Sequence, residues 1–190
     1  MPTTVAIALT LNVVKLSKQN ALRYRYIEDN KKYLEAARKA DGFINKNLRE
    51  NDELFVSYRD GKRGVSGFID DYAFYIFAQL HLYKATLDSK YIETSKLFCN
   101  RAIDDFADES GGFYLYGKNA ESLILRPKET YDGAIPSGNS VAAMVLQRLA
   151  VLTGEQKWQE AAVRQMTDTG ADVLIGSRAI HPEGYAGYTP

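Results

Sequence analysis

The sequence predicts an all-α protein built from helical hairpins in tandem. Three observations carry that expectation. A short pattern recurs three times along the chain, as Lys32-Tyr33-Leu34-Glu35-Ala36-Ala37, Lys90-Tyr91-Ile92-Glu93-Thr94-Ser95 and Lys157-Trp158-Gln159-Glu160-Ala161-Ala162, at spacings of 58 and 67 residues. Apolar residues around each copy follow the 3.6-residue period of amphipathic helices. The 190 residues, 45% hydrophobic and 25% charged, suffice for one soluble core. A recurrence of about 60 residues reads as a supersecondary unit, here a helix, a tight turn and a helix.

The elements follow in chain order. Residues 5–28 form a first apolar helix and 31–49 its partner, with Asp29-Asn30 as the break. The apolar run at 5–16 is shorter than the roughly 18 residues a membrane span requires, and Asn12 and Lys15 interrupt it. No basic stretch precedes it, as a signal peptide would demand. A buried helix and a cytoplasmic location are expected. Residues 50–66 are a polar, glycine-containing link in which Leu54–Tyr58 can form a short strand.

The second hairpin spans Phe68–Leu87 and Lys90–Phe106, with Asp88 or Ser89 capping the second helix. Residues 108–137 form a longer link. Gly111-Gly112, the run Phe113–Tyr116, Gly117–Ala120 and the run Glu121–Arg126 together read as a small β-hairpin near 112–126. The third hairpin spans Val141–Thr153 and about Glu155–Leu174, with Gly154 at the break and Ser137, Asn139 or Ser140 as cap. The repeated aromatic opens the second helix of each pair and plugs the hairpin corner.

Composition excludes several function classes. Lys+Arg and Asp+Glu both number 24, so zero net charge argues against binding driven by nucleic-acid phosphates. The first third is net positive and the rest net negative, an ordinary dipole. The single cysteine, Cys99, rules out an intrachain disulfide and reads as a small buried side chain. His81 and His181 are too far apart in sequence to suggest a metal site. No metal and no cofactor is expected, and no phosphate-binding glycine loop is present.

Tandem hairpins with elaborate links on one side suggest an α/α toroid. Four runs carry a more specific resemblance: Ser57–Lys62, Gly67–Phe74, Gly111–Tyr114 and, longest and most unusual, Arg126-Pro-Lys-Glu-Thr-Tyr-Asp-Gly-Ala-Ile-Pro-Ser-Gly-Asn-Ser140. Over about residues 20–170 the chain resembles the C-terminal toroid of the YyaL-type, or spermatogenesis-associated, thioredoxin-domain-containing proteins. The resemblance implies a six-hairpin toroid similar to N-acylglucosamine 2-epimerases and six-hairpin glycosidases. Three hairpins cannot close such a ring. Residues 1–190 are therefore read as a single partial toroid domain, a fragment whose thioredoxin-like domain and remaining hairpins belong to a longer parent. No Cys-x-x-Cys is present.

Candidate chemistry gathers in two places. Asp70 and Asp71 open the helix after Gly67, where carboxylates also favour the helix dipole. The polar segment from Arg126 to Asn139 leads into another helix start, and such loops are where ligand contacts concentrate. The candidate catalytic residues are Asp70, Asp71, Glu129 and Asp132, since a glycosidase needs two carboxyl groups flanking one bond. Tyr72, Arg126, Lys128, Ser137 and Asn139 are the candidate substrate-binding residues. Tyr58, Tyr75, Tyr114, Tyr116 and Tyr131 add aromatic surface near these links. His81 reads as a packed or surface histidine rather than an epimerase base. The expected ligand is a sugar or sugar derivative, in a carbohydrate-processing or carbohydrate-binding toroid. The alternative is a non-catalytic scaffold domain of a larger protein.

Overall fold

A computed structural model describes residues 27–118, 126–133 and 135–168. Among these, five α-helices alternate with two long links. α1 is Ile27–Phe43, followed by a π-helical turn, Ile44–Leu48. Four two-residue strands come next: β1 Arg49–Glu50, β2 Glu53–Leu54, β3 Tyr58–Arg59 and β4 Lys62–Arg63. Then follow α2 Ile69–Thr86, α3 Lys90–Phe106, α4 Gly138–Thr153 and α5 Gln156–Asp168.

The second and third helical hairpins lie where the periodicity places them. Lys90–Phe106 is one helix, and α2 ends at Leu87, whose φ of 57° gives a left-handed stop. The corresponding stop after α4 is Gly154, φ 70°. Asp88 Oδ1 accepts from the Lys90 amide at 3.1 Å, while Ser89 makes no side-chain cap bond. The repeated aromatics sink into the core: Tyr91 is 2% exposed and Trp158 1%, with Tyr33 half-buried against it.

Two sequence expectations are corrected. Asp29-Asn30 is no break, because α1 runs through both. Neither residue is glycine or proline, and both are tolerated in a first helical turn. The strand expected over Leu54–Tyr58 is instead two antiparallel hairpins, pairing Arg49 with Leu54 and Tyr58 with Arg63. Asp60-Gly61, with φ of 52° and 78°, is the two-residue turn that hairpins favour. In the second link, Phe113 forms an isolated bridge to Ala107. Residues 119–125 of the hairpin expected near 112–126 lie outside the described residues, as do the expected helix at 5–26 and the end of the last helix.

α2 is the axis of the fold. It packs on α3 as a hairpin, on α4 as a neighbour, and on α1 through a polar knot. In that knot Asp41 Oδ1 accepts from the Tyr75 hydroxyl at 3.1 Å and from Gln79 Nε2 at 2.6 Å. Asp70 meets Gly138 at one end of α2 and α4, and His81 meets Arg148 about three turns on. The two helices are thus parallel and in register. α3 and α5 run back outside them. Both links fold over the N-terminal ends of α2 and α4: the Gly67 amide donates to Leu54 O and the Ile69 amide to Leu115 O.

Tyr72 fastens the first link to α2. Its ring is 1% exposed between Phe98 and Phe106, and its hydroxyl accepts from the Leu54 amide at 3.1 Å. Burial pushes its pKa up to about 12. Tyr72→Phe keeps the ring and strands that amide. A loss of about 1–2 kcal/mol in denaturant titration is expected.

Candidate functional site

The N-terminal ends of α2 and α4 converge on the two links, and the candidate residues meet there. Asp71 is 3% exposed, and its Oδ2 accepts from the Phe68 amide at 3.0 Å, closing the first turn of α2. Asp70, next in sequence but about 100° around the helix, turns toward α4. A Cβ on Gly138 would overlap Asp70 Oδ1, so the glycine is what lets the carboxylate sit against α4.

Asp70 Oδ1 is buried against Gly138 at the start of α4. Its pKa is raised above the ordinary carboxylate value, first by burial, then by the charges of Glu129 and Asp71. The nearby Gly138 amide opposes the shift without reversing it. Asp70 and Glu129 are therefore electrostatic neighbours, although 59 positions apart in sequence.

The rest of the Arg126–Asn139 segment is held by its own side chains. Asp132 accepts from the Ser137 amide at 2.8 Å and from Ser140 Oγ at 3.0 Å. Ser137 caps α4, its Oγ accepting from the Ser140 amide. Asn139 is 4% exposed and joins three strands of chain: it accepts from the Phe113 amide at 2.7 Å and donates to Phe113 O at 3.0 Å and Glu129 O at 2.9 Å. Arg126 donates to Tyr116 O at 2.6 Å and Asp105 O at 3.2 Å, its guanidinium 4.2 Å from the Tyr114 ring centroid. Lys128 pairs with Asp108 at 2.8 Å and donates to Gly111 O at 2.7 Å. The hydrogen bonds of Lys128 and Tyr114 hold Asp108 well below the usual carboxylate range.

The structure thus brings Asp70, Asp71, Glu129 and Asp132 to one end of the α2–α4 pair. Arg126, Lys128, Ser137 and Asn139 brace the loop that carries Glu129 and Asp132. Tyr72 lies in the core behind them. Two features were not read from the sequence. Gly138, the close contact of Asp70, shows in sequence only as a glycine after a capping serine. Tyr131, named only among the neighbouring tyrosines, is 81% exposed on the loop between Glu129 and Asp132.

Cys99 is buried, which pushes its thiol pKa up and away from nucleophilic use. Among the described residues no group of three or more His, Cys, Asp or Glu side chains is placed to hold a metal ion. None of the described helices is long and apolar enough to cross a membrane.

Parallel inner helices, antiparallel outer ones and links gathered at one end define a segment of an α/α toroid. Solved structures agree at the level of fold. A cellobiose 2-epimerase from Spirochaeta thermophila superposes with a TM-score of 0.61 at 19% identity, over 84% of this chain and 41% of that one. An unsaturated glucuronyl hydrolase from Bacillus sp. GL1 gives 0.60 at 15%, over 84% and 43%. A GH76 α-mannanase from Bacteroides thetaiotaomicron gives 0.58 at 15%, over 85% and 41%.

In sequence, the chain is homologous to spermatogenesis-associated protein 20, of the thioredoxin-domain family that its motifs resemble. It is 39% identical to the rat protein and 38% to the human one over 104 residues, 53% of this chain. An uncharacterised Caenorhabditis elegans protein is 31% identical over 147 residues, 73% of this chain and 20% of its own length. The chain spans only 13% of the length of spermatogenesis-associated protein 20. No family model matches the chain.

Proposed function

We propose that this chain is the part of a carbohydrate-processing α/α toroid that carries its acid, the rest of the ring being supplied by further hairpins. The observation that supports this is Asp70: a carboxyl group packed against the start of α4, its pKa raised by burial and by the charge of Glu129. A carboxylic acid that holds its proton more tightly than usual, with a second carboxyl group near it, is the pairing that glycoside chemistry uses. Asp70 would give its proton to the leaving oxygen, and Glu129 would act as base or nucleophile. Asp71 and Asp132, tied to the backbone of their own segments, would hold the pair in place. Tyr131 offers an exposed ring on which a sugar can stack. The ligand is a sugar or sugar derivative, and the location cytoplasmic. Neutral overall charge supports no nucleic-acid partner.

One observation favours the second reading, a non-catalytic scaffold. Arg126, Lys128, Ser137 and Asn139 all bond to protein rather than pointing outward. A panel of sugars and glycosides assayed with the full-length protein separates the two. The enzyme reading expects turnover that Asp70→Asn lowers by at least about tenfold, as loss of a general acid does. The absence of both turnover and sugar-induced thermal shift rejects it in favour of the scaffold.

Asp70→Asn carries a second expectation. The folded pKa of Asp70 lies above the unfolded value, so the folded state holds that proton more tightly. The contribution is greatest below the unfolded pKa and is lost as pH rises through the folded one. Above the folded pKa the ionised carboxylate is a cost, so Asp70→Asn should gain in melting temperature relative to wild type as pH rises through that range. The absence of any gain relative to wild type as pH rises from 4 to 7 contradicts this.

A further inference from the structure

The side of α2 that carries Asp70 continues down the helix as Phe74, Phe77, His81 and Lys84, at successive spacings of four, three, four and three residues. At the far end of this stripe lies a cluster that the carboxylate site does not use. The Arg148 side chain of α4 crosses to α2, its Nη1 3.3 Å from His81 Nε2 and its guanidinium carbon 5.3 Å from the Phe77 ring centroid. Phe77 and His81 pack edge to face, 4.4 Å between centroids. Lys84 is one turn beyond His81 and close enough for its charge to act on the imidazole.

Three cationic or cationisable groups therefore share one place. Among the described residues no carboxylate forms an ion pair with any of them; the acids that do pair are engaged elsewhere. Burial alone lowers the Arg148 pKa, with no carboxylate acting to restore it. The His81 pKa falls to about 4 through burial, then Arg148, then Lys84. A guanidinium held by a ring face and an ammonium beside an imidazole, with no carboxylate of the described residues between them, have their complement in an oxyanion accepting from Arg148 and Lys84.

We propose that Phe77, His81, Lys84 and Arg148 form a binding site for the carboxylate or phosphate group of a small anionic ligand, about 16 Å along α2 from Asp70. Arg148 supplies the planar donor pair, Lys84 the point charge, and Phe77 fixes the guanidinium. A uronate and a sugar phosphate share the required oxyanion. The site stands on its own residues and does not depend on the carbohydrate reading of the Asp70 end.

The test is calorimetric titration of the full chain with inorganic phosphate, glucuronate, glucose 6-phosphate and neutral glucose, alongside NMR of His81. At least one anionic probe binds and glucose does not bind there; the carboxylate and phosphate arms identify the group taken. Arg148→Gln weakens that binding by about tenfold or more, and Arg148→Lys by less. Lys84→Gln, an exposed substitution safe for folding, weakens it too.

An anion beside the imidazole also raises the His81 pKa by about one unit or more, facing Arg148 of α4 and Lys84 of α2 as it does. Binding is then tighter below that pKa. Failure of all three anionic probes, or binding indifferent to Arg148→Gln and Lys84→Gln, overturns the proposal. A chain that binds phosphate but turns over no sugar rejects the enzyme reading and keeps this one.

Discussion

Replacing Asn139 by alanine is expected to cost about 3–5 kcal/mol of stability, the largest effect of any single polar substitution in this fold. The side chain spends three hydrogen bonds on backbone that no other group serves. Phe113 lies opposite Ala107 in a bridge whose flanking bonds are Asp108 N–H to Gly112 O and Tyr114 N–H to Phe106 O. The amide and carbonyl of Phe113 itself face away from Ala107, toward Asn139, which takes both at 2.7 and 3.0 Å. Phe113 is 1% exposed, so neither group has water as a substitute. The third bond, to Glu129 O, ties the acidic loop to the start of α4. Asn139→Asp tests the assignment at constant shape. The aspartate keeps one acceptor, loses both donors and sets an oxygen against two carbonyls, so it should be nearly as damaging. Denaturant midpoints for the two variants decide it; a loss under about 1 kcal/mol for both would show that the loop is held by other means.

How far the sequence reveals this architecture depends on the range of the interaction concerned. α3 and the ends of α2 and α4 rest on local signals: apolar periodicity, Asp88, Gly154 and the capping Ser137. The turn at Asp60-Gly61 is just as local, and it was readable as a hairpin. Strands of two residues, however, carry no alternating pattern to mark what flanks it. The break expected at Asp29-Asn30 rested on two polar residues that a helix start accommodates as readily as a turn.

The candidate site is legible to a different degree. Its members could be named, because Asp70-Asp71 and the Arg126–Asn139 run are dense in polar groups at helix starts. Their division of labour could not. Asp70 and Asp71 are neighbours of one type, and only the packing of α4 sets one carboxylate against Gly138 while the other closes its own helix turn. The Arg148–His81 contact joins positions 67 apart through the parallel register of two helices, and no spacing rule reaches that far.

Gly138→Ala is expected to destabilise the fold by about 2–3 kcal/mol, through overpacking at the closest approach of α2 and α4. A Cβ there overlaps Asp70 Oδ1 and comes within 3.0 Å of the Asp70 amide nitrogen and 3.1 Å of its Cα. Helix propensity points the other way, since alanine is preferred over glycine by about 1 kcal/mol inside a helix. The sign of the effect is therefore diagnostic of the contact. Asp70→Ala removes the oxygen but leaves the backbone atoms, so the same substitution in that background should cost about 1 kcal/mol less without becoming free. A double-mutant cycle by denaturant titration measures the difference. Strict additivity would mean that Asp70 does not lie against Gly138. Coupling of the expected size places the carboxylate in the α2–α4 seam, where burial and Glu129 raise its pKa. The same glycine then sets two things at once: how near the inner helices approach, and how deeply the carboxylate between them is buried.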